Sequence, residues 1–295
     1  MSELARRVLF SIVAIPVALA AIWYGDWALA ALLAIAAALA ANEYYGIARA
    51  AGLQPMATLG SALAGVAPLA LHAQRRGVMH GELTAIGVVV VLIVFAVSIR
   101  RRWPDGHPIA AVSTTVFGII YTGVTLGYAY VLRYHPYAIG ARAGAALLAL
   151  PLILTWTSDI GAYFVGRAFG KRKLIPVVSP GKTVAGAVGA LVLCMIVSWA
   201  YTRWVLVPNA SLAMSLKSKD IAAPAVAAML FGGLISIAAQ VGDLAESLIK
   251  RDAGVKDSSH LLPGHGGVLD RLDSLFFVLP FSYLLFGWLL IPAIT

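Results

Sequence analysis

Between Asp243 and Asp273 the chain gathers the residue types that handle phosphate. Asp243, Glu246, Ser247 and Lys250 are spaced three, four and seven residues from the first, so a helix would carry two carboxylates, a hydroxyl and an ammonium on one face. Arg251, Lys256, Asp257 and the glycines Gly254, Gly264, Gly266 and Gly267 follow, then Asp270, Arg271 and Asp273. Paired glycines permit positive φ and close backbone approach to a ligand, and successive N–H groups in such turns bind anions. Either Asp270 or Asp273 alone would merely answer the dipole of a following helix. Together with Asp243 and Glu246 they make a set of hard oxygen donors suited to magnesium, which takes a few carboxylates plus substrate phosphates. His260 and His265 raise zinc, but the Pro263-Gly264 break between them and the single cysteine, Cys194, argue against it.

A second block lies upstream. Ser179-Pro180-Gly181-Lys182-Thr183 leads into a long apolar run, with Ser179 or Thr183 placed to cap a helix and Lys182 beside its exposed N–H groups, a cradle for phosphate. It is not a P-loop, which needs a glycine five residues before Gly181, where Pro176 stands. A basic loop with an ordinary cap would explain the lysines but not the order of the block. Asp159, Tyr163 and Arg167 follow one another at steps of four, on one face of a helix. An aspartate buried in a membrane helix marks a functional site or a structural pair with arginine.

The elements that must position these residues are membrane helices. The chain is 61% hydrophobic with a mean hydropathy of +0.88, far beyond soluble domains, and a span needs about 20 apolar residues. Nine stretches qualify: 8–24, 27–45, 57–73, 83–99, 109–133, 144–168, 184–206, 222–249 and 271–292. The first reads as a retained helix rather than a signal peptide. With nine spans, the N-terminus shares a side with the loops at 46–56, 100–108, 167–183 and 250–271. These hold most of the Lys and Arg, which predicts a cytoplasmic N-terminus and both motif loops on the cytoplasmic side. The expected fold is therefore an all-α polytopic membrane protein, with residues 1–140 as scaffold and 141–295 as the catalytic region. Its motif loops are 159–183 and 243–273, and its polar cavity opens on the cytoplasmic face.

Three smaller readings complete the chain. Cys194, Gly186 and Gly189 read as packing residues, and the Thr and Gly texture of 109–133 reads as close helix packing or as a cavity lining. Glu43, at the close of the second run, reads as an interfacial carboxylate or as a contributor to the site. The formal charge of +9 suits anionic headgroups and nucleotides, although cytoplasmic loops alone carry such an excess.

Ser247, Lys250, Arg251, Lys256, Asp257, Ser259, Pro263, His265, Gly266, Gly267, Asp270, Arg271 and Asp273 fall at the spacing of a known motif. This stretch resembles the C-terminal motif of the phosphatidate cytidylyltransferases, or CDP-diacylglycerol synthases. The segments Asp159-Ile160-Gly161-Ala162-Tyr163 and Ser179–Thr183 are similar to two further blocks of that family, with one extra residue between Asp159 and Gly161. Ala185 stands where relatives often carry glutamate, so no catalytic duty is assigned there. The likeness covers roughly residues 155–290, and before that only the hydrophobic layout.

The resemblance implies transfer of the cytidylyl group of CTP to phosphatidic acid, giving CDP-diacylglycerol and pyrophosphate, at a multi-pass inner-membrane protein acting as a homodimer. Its partners are CTP, phosphatidic acid and membrane lipids, not nucleic acid. On this expectation Asp243, Lys250, Arg251, His265, Asp270, Arg271 and Asp273 do the chemistry. Asp159, Ser179, Pro180, Lys182, Thr183, Lys256, Gly266 and Gly267 bind nucleotide and phosphate, while Asp243, Glu246, Asp270 and Asp273 hold one or two magnesium ions. The participation of a monovalent cation is left open. Two other functions compete, a CTP-dependent lipid kinase and a secondary transporter of an anionic solute. Transporters show inverted repeats and a midplane site, whereas here no repeat is seen and the polar residues gather at one face.

Overall fold

The computed structural model describes residues 3–101, 106–136, 140–209, 222–262, 264 and 266–290. Among the described residues the regular structure is helical apart from one hairpin. In order come α1 (Glu3–Tyr24), α2 (Asp26–Ala50), α3 (Ala57–Arg75) and α4 (Leu83–Arg101). Then follow α5 (Pro108–Arg133), α6 (Ala141–Phe169), the antiparallel strands β1 (Lys173–Ile175) and β2 (Ser179–Thr183), and α7 (Val184–Asn209). The last two helices are α8 (Ala222–Asp252) and α9 (Leu269–Leu290), the latter broken by a turn at Asp273–Ser274. Among the described residues seven helices are long and apolar enough to cross a membrane: α2 and α4 to α9. The runs at 8–24 and 57–73 are also helical, in α1 and α3, but lie outside that set.

The chain divides into two compact units, Met1–Tyr130 with Ile249–Leu272, and Val131–Leu248 with Asp273–Thr295. The segment Ile249–Leu272 packs with the N-terminal helices.

In the first unit, α2 supplies a stripe of small residues, Ala30, Ala37, Ala40 and Ala41, all fully buried. Small side chains let helices in lipid approach backbone to backbone. Gly65 of α3 accordingly meets the Ala34 carbonyl, and Gly123 of α5 meets the Ala64 backbone. Tyr45 lies between Gly60 and Gly118, and its hydroxyl donates to the Thr115 carbonyl at 2.7 Å. The Thr and Gly texture of α5 thus serves close packing: Thr115 and Thr122 return their hydroxyls to carbonyls one turn back, and Thr115 Oγ also accepts from Met56 N. A π-helical stretch at Ile119–Val124 interrupts α5. By contrast α4 leaves Val88, Val89, Leu92, Phe95 and Ile99 exposed, a face for lipid chains.

In the second unit α6 and α7 run together over their length. Gly161 sits against Ala190, Gly186 against the Ala162 carbonyl, and Gly189 against Val165, as expected for the last two. Buried Cys194 donates to the Leu154 carbonyl, so it is a core residue. Ser158 of α6 and Ser236 of α8 share a hydrogen bond at 3.1 Å.

Candidate active site

The Ser179–Thr183 block departs from the expected loop. It is a strand, paired with β1 through Lys173 opposite Thr183 and Ile175 opposite Ser179. The strand ends where Thr183 turns extended and caps α7, its Oγ accepting from Gly186 N at 3.1 Å. Thr183, not Ser179, is therefore the cap. The glycines nearby, Gly166, Gly170 and Gly186, crowd the Thr183 hydroxyl; they fit the hairpin to α6 and α7. Pro180 and Gly181 remain exposed, and Lys182 is half-buried.

Lys182 reaches α8. Its Nζ lies 2.6 Å from Asp243 Oδ2, with about a quarter of the lysine side chain and a third of the aspartate exposed. Ser247, one turn on, donates to Asp243 Oδ1 at 3.4 Å. Gly242 lies against the backbone of Asp273 and Ser274, so the bare position before Asp243 lets α8 meet the turn in α9 that carries Asp273. Asp273 Oδ1 in turn accepts from Ser274 N at 2.6 Å. Glu246 is buried, 1% exposed. Within this unit the structure therefore brings Lys182, Asp243 and the Asp273 turn together.

Asp159 does not join them as a buried carboxylate. It is exposed, because Ser158 and Gly161 are the α6 positions turned to α8 and α7. Arg167 Nη1 donates to the Tyr163 hydroxyl at 2.8 Å, so the expected helical face exists and lies on the surface.

The segment Lys250–Asp270 forms the other cluster. Asp270 accepts from Lys250 Nζ at 2.7 Å, from Ser258 N at 3.0 and 3.2 Å, from Ser258 Oγ at 2.8 Å and from Gly267 N at 2.8 Å. Both of its oxygens are thus engaged in tying the loop to the end of α8. The glycine pair is needed for this. Gly266 has φ 78°, and a Cβ there would fall 2.7 Å from Asp270 Oδ2. A Cβ at Gly267 would strike the Ser258 hydroxyl and the Glu43 carboxylate. The close backbone approach read from the glycines is made, and the groups approached are the chain's own carboxylates. A bridge from Leu262 N to the Gly266 carbonyl at 2.9 Å closes the tip. Pro263 and His265 lie outside the described residues. Arg251, Lys256 and Arg271 are exposed.

Sequence reasoning weighed Glu43 and missed Ser258. Glu43, 5% exposed, accepts from Ser258 Oγ at 3.2 Å, Ser259 Oγ at 2.6 Å, Val268 N at 3.1 Å and Leu269 N at 2.7 Å. The available signal was a carboxylate ending an alanine-rich run, which must find donors or water. Among the described residues no three His, Cys, Asp or Glu side chains converge on one point.

The structure thus gives a multi-helix fold with, among the described residues, seven helices long and apolar enough to cross a membrane, a Lys182–Asp243 pair in one unit and a loop tied by carboxylates in the other. Residues 5–289 match the model of the cytidylyltransferase family, and the chain belongs to that family. Among its curated relatives, the phosphatidate cytidylyltransferase of Haemophilus influenzae is 44% identical, over 52% of this chain and 51% of that protein. That of Bacillus subtilis is 33% identical over 68% and 66%. The chain thus matches about half and about two thirds of the length of these two. The phosphatidate cytidylyltransferase of Synechocystis is 30% identical over 98% of both chains.

Proposed function

We propose that this protein transfers the cytidylyl group of CTP to phosphatidic acid, releasing pyrophosphate and forming CDP-diacylglycerol. The observation that carries the reading is the 2.6 Å pair between Lys182 and Asp243. It sets an ammonium and a partly open carboxylate from two separate motif blocks against each other, as a phosphate site needs. The family membership and the names of the relatives support the substrates.

An oxygen of the lipid phosphate attacks the α-phosphorus of CTP. The bond from that phosphorus to the β-phosphate bridging oxygen breaks, and the electron pair leaves with pyrophosphate. A phosphate monoester has its second pKa near 6, so its oxygen is already a nucleophile at neutral pH and no strong base is required. The task is to neutralise two anions and hold them in line. Lys182 supplies one charge at the hairpin, and Lys250, Arg251, Lys256 and Arg271 supply the rest.

Magnesium suits Asp243, whose helix meets the backbone turn that carries Asp273, since one or two carboxylates with substrate phosphates are its usual shell. A magnesium ion held there would supply charge neutralisation to the substrate phosphates. Asp270, with both oxygens engaged by Lys250, Ser258 and Gly267, is better suited to holding the loop, and Glu246 to an inner supporting place. The same reading has nine spans with the N-terminus in the cytoplasm, a polar cavity open on that side of the inner membrane, and a homodimer.

The test uses detergent-purified protein with phosphatidic acid, magnesium and CTP labelled either in the cytidine or at the γ-phosphate, with and without EDTA. The lipid extract is resolved by thin-layer chromatography. A magnesium-dependent lipid carrying the cytidine label is expected. Label entering lipid only from the γ-phosphate would replace this reading with a lipid kinase, and no labelled lipid from folded protein would return the transporter.

A further inference from the structure

The four donors on Glu43 come from two stretches of one loop. Ser258 and Ser259 lie before its tip, and Val268 and Leu269 lie after it. A buried carboxylate is costly unless its oxygens are satisfied, and here each oxygen receives one hydroxyl and one backbone N–H. The Val268 and Leu269 amides open α9, where N–H groups have no intrahelical acceptor and the local dipole favours an anion. The carboxylate therefore stabilises the start of the helix and the loop at once. Its fit is close enough that residue 267 has no room for a side chain.

Glu43 also acts beyond its own contacts. The Ser258 hydroxyl that reaches Glu43 lies 2.8 Å from Asp270 Oδ2, and Asp270 holds Lys250. Two carboxylates, one from α2 and one from α9, thus share the proton of the same serine hydroxyl. Lys256 and Arg271, two of the cations assigned to the substrates, flank the segment so fixed. The helix α2 otherwise belongs to what the sequence marks as scaffold.

We propose that Glu43 is a positioning residue for cytidylyl transfer: its carboxylate fixes the Ser258–Leu269 loop and acts on the reaction through it. This rests on the proposed function, and the test is arranged so that the two fail separately. Full-length wild type, Glu43→Gln and Glu43→Ala are purified in detergent. Each is assayed for labelled CDP-lipid and, independently of activity, for amide hydrogen exchange along the chain.

Glu43→Ala should lose activity by about 10²-fold, the scale of lost supporting or positioning contacts. Glu43→Gln keeps the shape and one acceptor oxygen, so it should recover part of that loss. Exchange should rise at 255–269 in Glu43→Ala and stay as in wild type across α6 and α7. Full activity in Glu43→Ala with an unchanged loop would overturn the proposal. So would equal inactivity of both variants with exchange raised along the whole chain, which would make Glu43 a residue of the fold alone. A wild type that makes no CDP-lipid would sink the proposed function, while the exchange pattern would still decide the clamp.

Discussion

The Lys173–Thr183 hairpin and the Lys250–Asp270 loop are both short, lysine- and glycine-bearing segments, yet they are held in opposite ways. The hairpin is ordered by backbone pairing between β1 and β2 and by one side-chain cap. That leaves Lys182 at liberty to reach Asp243. Among the described residues the backbone pairing within the loop consists of two turn bonds, Gly254 N to the Arg251 carbonyl and Val255 N to the Lys250 carbonyl, and the Leu262–Gly266 bridge. Glu43 and Asp270 order it by accepting from its amides and hydroxyls. Backbone order tolerates side-chain change, whereas order imposed by two carboxylates is lost with either of them. The hairpin should therefore fail only through its chemistry, and the loop through its chemistry or its shape.

The largest expected effect is at the hairpin's partner. Asp243→Asn, like addition of EDTA, should lower CDP-lipid formation by at least about 10³-fold, the upper range for loss of one preorganised charged group. Hydrogen exchange of that variant should match wild type; general unfolding would break the comparison. Lys182→Ala removes one cation and should cost about 10²-fold in kcat/KM for CTP.

At the loop, Gly267→Ala introduces a methyl where Glu43 and Ser258 already stand. Initial rates should fall by about 10–10²-fold through a small displacement, with faster exchange at 255–269. A wild-type rate would show that the loop does not depend on its two carboxylates. Arg251 is exposed and donates to the Val255 carbonyl at 3.4 Å; Arg251→Ala should cost less than about 10²-fold. Thr183→Ala should be felt mainly in stability, about 1 kcal/mol for a lost cap, seen as a thermal midpoint lower by about 2 °C.

Much of the fold was legible because apolar runs and small-residue positions follow directly from a lipid surround. Gly186, Gly189 and Cys194 were readable as packing positions for that reason. The strand pairing at Ser179–Thr183 was not, since Ser, Pro, Gly and Lys carry no period-two pattern and the block resembles a loop until its partner is known. Asp159 was expected to be buried because it lies within an apolar run; which face of α6 meets α7 and α8 is settled by Ser158 and Gly161. The Asp243 to Lys250 face of α8 was readable from helical spacing. Glu43's role was not, because its partners lie more than two hundred residues further on and no local pattern couples them.

That separation bears on how the protein is made. Glu43 and Leu269 stand 226 residues apart, and a ribosome adding about 5–20 residues per second leaves a gap of roughly 10–45 s between them. During that interval α2 is already in the bilayer, and its carboxylate has neither of its amides nor either serine. The nascent chain must shelter this charge in headgroup water or against the insertion machinery until nearly the whole polypeptide has emerged. The loop then closes as one of the last events of biogenesis.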